Sequence, residues 1–374
     1  PGLLIDLEGE LADFGLGAHG RIERPAVPDG IDVAFYLDGP SMAEAGAIVG
    51  LEGFKDVPFD VSGTMSRQGS VVKITDGRLR AAEGQVRLSG VLPHFPDIDD
   101  WQADLEITRL DTSVLGTVLG TPNMPQLICD ARGRLFSDVD GVELVDLKVT
   151  DGDVDLVLDG SMGHPPDFAG AHLKARFSGK DLTRLQSLIP LESLPAAPFR
   201  LNGELSRDGE IWRIGDGLLQ SKGFSIDFHA VLDRIFEPRR LEFDVGIVSD
   251  DLPVALREYG VAVETIAPVP LALRGSAKLV EGGLELSELR GSIGAVDVSG
   301  HGLLSGADDL AGSTITVNAR GEEFGEVLGP FVEADLPGQP FDLALDATYH
   351  APLVSIDRLR AHIGANTLSG DLTL

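Results

Sequence analysis

Alternation of apolar and polar residues runs through most of the chain. In Phe224-Ser225-Ile226-Asp227-Phe228-His229-Ala230 every second side chain is apolar. The same holds in Leu241-Glu242-Phe243-Asp244-Val245 and in Ala171-His172-Leu173-Lys174-Ala175-Arg176-Phe177. A period of two puts those side chains on one face of an extended backbone, so these segments are expected to be half-buried β-strands. The pattern itself repeats. A strand ending in glycine returns at Gly20, Gly90, Gly160, Gly300 and Gly370, with Ala230 in the remaining place, each seventy residues after the last. An apolar residue keeps register at Leu79, Val149, Leu219, Leu289 and Leu359. A candidate helix cap does so at Ser41, Asp111, Asp181 and Asp251, slipping to Glu322 in the next copy.

The repeat divides the chain into a partial unit 1–50, whole units 51–120, 121–190, 191–260 and 261–330, and a partial unit 331–374. Units open on Pro58-Phe59, Pro198-Phe199, Pro270-Leu271 and Pro340-Phe341, and a proline, having no amide to donate, marks a strand start. In the unit 51–120, strands are expected near 57–66, 70–75, 77–82, 85–92 and 101–109, separated by Gly, Asp and Pro turns, with a short helix after Asp111. Its counterpart after Asp181 would place Leu182, Leu185, Leu188 and Ile189 on one face, with Asp181 accepting from the first-turn amides. The expectation is a mostly β, elongated repeat protein: a curled antiparallel sheet forming a half-pipe groove, in ~70-residue units of five strands and one short helix each. At ~4.8 Å per strand, five strands add roughly 24 Å per unit.

One short helix cannot cover the apolar face of such a unit. About ten apolar side chains, each keeping roughly 50 Å² exposed, leave a patch of about 500 Å² in every repeat. The sheet must close on itself, pack on another chain, or hold an apolar ligand. Inward positions that include Gly and Ala, with only 6% aromatic residues, favour an open lumen over a filled sandwich. The groove lining expected in unit 51–120 is Phe59, Val61, Val86, Leu88, Leu105 and Ile107. In 121–190 it is Leu156, Leu158, Leu173 and Phe177. In 191–260 it is Phe199, Leu201, Phe224, Ile226, Phe228, Phe243 and Val245. Leu271, Leu273, Val296, Val298, Ile315 and Val317 follow in 261–330, and Phe341 and Leu343 in 331–374.

Charge narrows the partners. Sixty acidic against thirty basic residues give a formal net charge of −30, which removes the electrostatic attraction that dominates nucleic-acid binding. A nucleic-acid partner is excluded on this ground, and lipid contact must come through apolar side chains. Cys129 is the only cysteine, so neither an internal disulfide nor a thiolate cluster can form. No stretch reaches the ~18 apolar residues of a membrane-spanning helix. The repeat is already in mid-unit at Pro1 and still running at Leu374, which reads as a fragment.

Motifs for chemistry give way to simpler readings. Gly15-Leu16-Gly17-Ala18-His19-Gly20 fits G-x-G-x-x-G, but Pro25 and Pro28 deny it the following helix, and Phe14, Leu16 and Ala18 share the register of Phe224, Ile226 and Phe228. Asp151-Gly152-Asp153-Val154-Asp155 starts like a calcium loop, yet Leu156 and Met162 stand where Gly and Glu are needed. Asp97, Asp99 and Asp100 read as turn residues, and His172 and His229 as polar-face positions. Neither HExxH, G-x-S-x-G nor a P-loop occurs. No catalytic residue, metal site or cofactor is expected, and the chain is not expected to be an enzyme.

The segments Leu194-Pro195-Ala196-Ala197-Pro198-Phe199-Arg200-Leu201-Asn202-Gly203, Leu336-Pro337-Gly338-Gln339-Pro340-Phe341-Asp342-Leu343 and Leu284-Glu285-Leu286-Ser287-Glu288-Leu289-Arg290-Gly291-Ser292-Ile293-Gly294-Ala295-Val296-Asp297-Val298-Ser299-Gly300 resemble the AsmA-like family, which includes TamB and YhdP. The likeness spans most of 51–374 and is carried by degenerate Leu, Gly and Pro patterns. It implies a repeating β-groove lipid-transfer protein of the Gram-negative envelope, anchored in the inner membrane by a helix absent from this chain and lying in the periplasm. The expected function is bridge-like phospholipid transport between membranes, with phospholipid acyl chains as ligand and outer-membrane or envelope proteins as further partners. The alternatives are a self-packed structural or adhesive envelope rod, and a scaffold assisting outer-membrane protein assembly through its open edge.

Overall fold

The computed structural model describes residues 2–11, 13–27, 29–48, 56–81, 84–97, 99–112, 127–164, 168–185, 196–234, 238–258, 268–305, 311–325, 338–350 and 353–373. The chain is mostly β, 71% strand against 7% helix, in a curled, unclosed antiparallel sheet. It forms two compact units: Pro1–Arg176 with Arg207–Gly209, and Phe177–Ser206 with Glu210–Leu374.

The first unit contains β1 (Leu3–Leu11), β2 (Phe14–Arg24), β3 (Asp29–Gly39), β4 (Phe59–Gln68), β5 (Val71–Ala81), β6 (Gly84–Leu92), β7 (Trp101–Asp111), β8 (Ile128–Ser137), β9 (Val142–Thr150) and β10 (Val154–Met162). Each is hydrogen-bonded antiparallel to the next in sequence. The division falls within β11 (His172–Gly179), which β12 (Phe199–Asp208) follows. The second unit continues with β13 (Ile211–Ser221), β14 (Phe224–Leu232), β15 (Leu241–Ser249), β16 (Leu271–Val280), β17 (Gly283–Ile293), β18 (Val296–Ser305), β19 (Thr314–Gly321), β20 (Phe341–His350), β21 (Leu353–Ile363) and β22 (Asn366–Thr373). From β13 onward each again pairs antiparallel with the next.

Among the described residues, each whole seventy-residue repeat holds four strands, not five. The strands expected at 70–75 and 77–82 are a single strand, β5, and the Asp76-Gly77 step between them is a β-bulge. Asp76 takes a left-handed φ of 52°, and the pairing with β6 shifts between Ile74 and Gly77. An Asp-Gly step has the chemistry of a turn, and Asp tolerates the left-handed region, so turn and bulge look alike in sequence. The device recurs at Asp146, Asp216 and Glu288, with φ of 49°, 48° and 52°. With four strands, a repeat spans ~19 Å across the sheet.

Three of the expected helical caps, Ser41, Asp181 and Asp251, are in place. Helix α1 (Met42–Ile48) is capped by Ser41, whose Oγ accepts from the Glu44 amide at 3.2 Å. Helix α2 (Leu252–Glu258) is capped by Asp251, which accepts from the Val254 amide at 3.3 Å. Asp181 accepts from the amide and hydroxyl of Thr183 at 3.0 and 2.7 Å, opening a 3₁₀ turn at Leu182–Leu185. Leu188, Ile189 and the body of a helix after Asp111 lie outside the described residues.

The curl has a legible cause. Bulges bend a strand and raise its twist, and the recurrent glycines allow the next strand to come close. A Cβ at Gly300 would meet the Thr316 carbonyl oxygen at 2.5 Å, and one at Gly20 the Asp32 carbonyl oxygen at 2.1 Å. Gly300→Ala is therefore expected to destabilise the second unit by about 1–3 kcal/mol through overpacking. Ala230→Gly, at the one repeat position that already carries a Cβ, should cost about 1 kcal/mol or less. Denaturant melts of the two variants check this ordering.

Candidate groove

Cross-strand register gathers the apolar side chains onto one face. In the second unit, Leu219, Ile226, Ile247 and Leu273 stand in line on neighbouring strands, as do Gly217, Phe228, Val245 and Gly275. Farther along, Gly291, Val298, Ala319 and Leu343 continue the same face, beside Leu289, Gly300, Val317 and Leu345. From β13 to β22, not one residue that the register places on this face is charged. The opposite face carries the charges, among them Asp227, Asp244 and Arg274, all exposed.

The first unit has the same face, with Val61, Leu79, Val86 and Ile107 in line and Gly77, Leu88, Leu105 and Gly133 beside them. On the first strands in line, β2 to β4, its described charges, Arg24, Asp29 and Arg67, stand only at the hairpin end of the strands. Asp29 pairs with Arg24, and its Oδ1 accepts from the Gly69 amide at 2.6 Å, tying the β2–β3 turn to the β4–β5 turn.

The two ends of the strands differ. At one end, every second link, among them those leading into β4, β12, β16 and β20, starts with a helical turn and is tied back to the residues just before the next strand. Met42 N–H donates to Val57 O at 2.9 Å, Leu182 N–H to Ala197 O at 2.8 Å, Leu252 N–H to Val269 O at 2.8 Å and Phe324 N–H to Gln339 O at 2.9 Å. These segments bury the first inward side chain of the strand that follows: Phe59 is 7% exposed, Phe199 3%, Leu271 8% and Phe341 6%. Aromatic contacts reinforce the seal, with Phe14 6.2 Å from Phe59, Phe177 5.3 Å from Phe199 and Phe324 5.4 Å from Phe341. Tight hairpins on left-handed glycines occur at both ends, with Gly223 and Gly294 at this one and Gly69 and Gly209 at the other, which among the described residues carries no helical link.

The expected lining residues therefore divide by depth. Phe59, Phe199, Leu271 and Phe341 lie under the connecting segments, and Ile107, Leu173 and Val296 are buried as well. Val61, Val86, Leu88, Leu105, Leu156, Leu158, Phe177, Leu201, Phe224, Ile226, Phe228, Phe243, Val245, Leu273, Val298, Val317 and Leu343 are half-buried, flanked by same-face neighbours, and Ile315 is 37% exposed. Among the described residues, the buried cluster that forms is Leu182 on Phe199, with Phe177, Leu201 and Leu219 against it. That cluster sits at the sealed end. A filled sandwich would have buried the middle of the strands instead.

Sequence alternation missed a whole class of lining residues. None of the expected positions came from the bulged strands β5, β9, β13, β17 and β21. Those strands contribute Leu79, Leu144, Leu219, Leu289 and Leu359 to the same face. The extra residue at the bulge reverses the parity, from Val72 and Ile74 on one side to Gly77 and Leu79 on the other. The usable signal was a two-phase alternation broken at an acidic residue.

The motifs set aside for chemistry have structural roles. Gly15–Gly20 lies inside β2. Asp151 Oδ1 accepts from the Asp153 and Val154 amides at 3.0 and 2.8 Å, closing the turn into β10. Asp97 accepts from the Asp99 amide at 3.0 Å, and Asp100 pairs with His94 at 2.7 Å. Among the described residues, no group of three or more His, Cys, Asp or Glu side chains is placed to hold a metal ion, and no helix is long and apolar enough to cross a membrane. No protein-family model, curated protein or solved structure matches the chain.

The hairpin end carries an acid-sensitive tie. The hydrogen bond from the Gly69 amide, aided by Arg24, holds the Asp29 carboxyl below its ordinary range. A carboxyl with a lowered folded pKa stabilises the fold above its unfolded pKa, and that contribution disappears as pH falls through the folded value. Melting temperatures followed downward from about pH 5 to about pH 2 should fall more steeply for the native chain than for Asp29→Asn. Parallel curves would show that the tie contributes nothing.

Proposed function

We propose that the half-pipe holds phospholipid acyl chains along its inner face and passes them from repeat to repeat, with the headgroups left in water. The observation that carries this reading is the uncharged, half-exposed apolar face running strand after strand from β13 to β22. A surface so continuous is costly in water, at roughly 25 cal/mol per Å² of apolar area, and an acyl chain is an occupant that needs no polar partner from it. Conduction requires sites of nearly equal affinity in series, and a seventy-residue repeat supplies them. Such a protein catalyses no reaction and needs no cofactor.

The resemblance of residues 51–374 to the AsmA-like family supports a setting in the Gram-negative periplasm, as a bridge from the inner membrane toward outer-membrane or envelope partners. The self-packed rod is disfavoured by the half-exposed strand centres. The assembly scaffold has no observation of its own in its favour.

Ile226 tests the reading at one residue. It stands mid-strand, in line with Leu219 and Ile247 and flanked on the same face by Phe224 and Phe228. Ile226→Asp puts a carboxylate on the groove floor, where an open lumen lets water reach it, so the chain should stay folded but lose bound lipid. In a closed core the same charge would cost several kcal/mol, on the order of 3–5, and unfold the unit. Asp227→Lys, on the outer face, should change neither property. Thermal melts and mass spectrometry of extracted lipid read both variants, and a folded Ile226→Asp chain with full lipid loading contradicts the groove.

A further inference from the structure

On the outer face, cations oppose one another directly across neighbouring strands. Arg78 faces Arg87 and Arg132 faces Lys148 in the first unit, and Arg274 faces Arg290 in the second. All six are exposed. Like charges directly opposite in an antiparallel pair are destabilising, and a chain with sixty acids against thirty bases has ample means to avoid them. Among the described residues, only Arg87 has a carboxylate in reach, Glu106 Oε2 at 3.2 Å, and the other five have none. Three of the four bulges share the placement: Arg78, Lys148 and Arg290 each stand two residues beyond a left-handed acid, Asp76, Asp146 and Glu288, while Leu218 follows Asp216. Three such pairs, two of them with no carboxylate on either member, are destabilising without an anion to neutralise them.

We propose that these pairs are anion clamps, and that the two in the first unit take phosphate groups of a single linear polyanion lying across the strands on the outer face. A phosphate group between two cations can accept from both at once through its two non-bridging oxygens, and the guanidinium fork suits them. With β7 between them, the clamps of the first unit lie about three strand spacings, ~14 Å, apart. A flat anionic membrane or a nucleic-acid duplex covers a wider footprint. Either would also meet the exposed Asp104 and Asp130 on the flanking rows, whereas one chain following the row Arg78, Arg87, Glu106, Arg132, Lys148 meets a single carboxylate, Glu106, already paired to Arg87. This surface is opposite the groove and does not rest on the lipid reading.

Long-chain inorganic polyphosphate is the probe, titrated calorimetrically into the full chain at low salt. The native chain should bind it, and Arg78→Glu combined with Lys148→Glu should weaken binding by about tenfold or more, a change of 1.4 kcal/mol. Without ligand, the same double variant should melt higher than the native chain, because each repelling pair becomes an attractive one. Arg360→Glu, which stands on the corresponding row opposite Ala344 and Ser369, should change affinity by less than about twofold. Failure of the native chain to bind polyphosphate overturns the proposal. So does an equal loss in Arg360→Glu, which would reduce the effect to net charge. Binding to phosphatidylglycerol vesicles in place of polyphosphate, lost in the double variant, would assign the face to a membrane and overturn it as well.

Discussion

Backbone pairing between neighbours in sequence is the constraint on which everything else in this molecule depends. Between β2 and β9, and again between β14 and β21, every strand is hydrogen-bonded on both sides by the strands just before and after it. The amides and carbonyls are thereby satisfied within one layer, and no second sheet is required to bury them. Side-chain cohesion then comes from same-face cross-strand neighbours, each worth roughly 0.2–1 kcal/mol, in a chain where each repeat depends mainly on its neighbours. An ordinary domain cannot leave its apolar face uncovered. This one can, because its fold is held along the sheet and not across it.

The remaining features follow from keeping that face concave and continuous. Bulges at Asp76, Asp146, Asp216 and Glu288 bend the strands, and glycines such as Gly300 let neighbouring strands close up. The helical links seal one end of the strands over Phe59, Phe199, Leu271 and Phe341, and the strand centres carry mainly Ile, Val, Leu, Gly and Ala, with Phe228 and Phe243 among them. Small and aliphatic side chains make a smooth surface with no polar contact to hold a ligand in one place. On the proposed reading an acyl chain can therefore move along it, and charge is kept to the outer face and the rims.

How much was legible in the sequence depended on the parity of each strand. Regular strands such as β14 and β15 announced their inward residues, and register set Ile226 opposite Ile247 and Phe228 opposite Val245 as the alternation implies. The capping residues Ser41, Asp181 and Asp251 were equally legible, because a short polar side chain before a helical turn has a local function that tertiary context does not alter. The bulged strands were not. Asp76-Gly77 has the chemistry of a turn, and only pairing on both sides with β4 and β6 shows that the chain runs on through it. The same reversal hid Leu79, Leu219 and Leu289 from the lining. Phe59 and Phe199 were placed on the correct face, but their cover comes from the connecting segments, whose position is a tertiary matter.

The account turns on whether acyl chains lie against the inner face. A photo-crosslinking residue placed at Ile226, and in a separate chain at Asp227, reads this directly when the protein is produced in a membrane-containing host and irradiated. Adducts with the mass of phospholipid at position 226, and none at 227, are the predicted result. A folded chain that gives no lipid adduct at 226, or equal adducts at both positions, would contradict it.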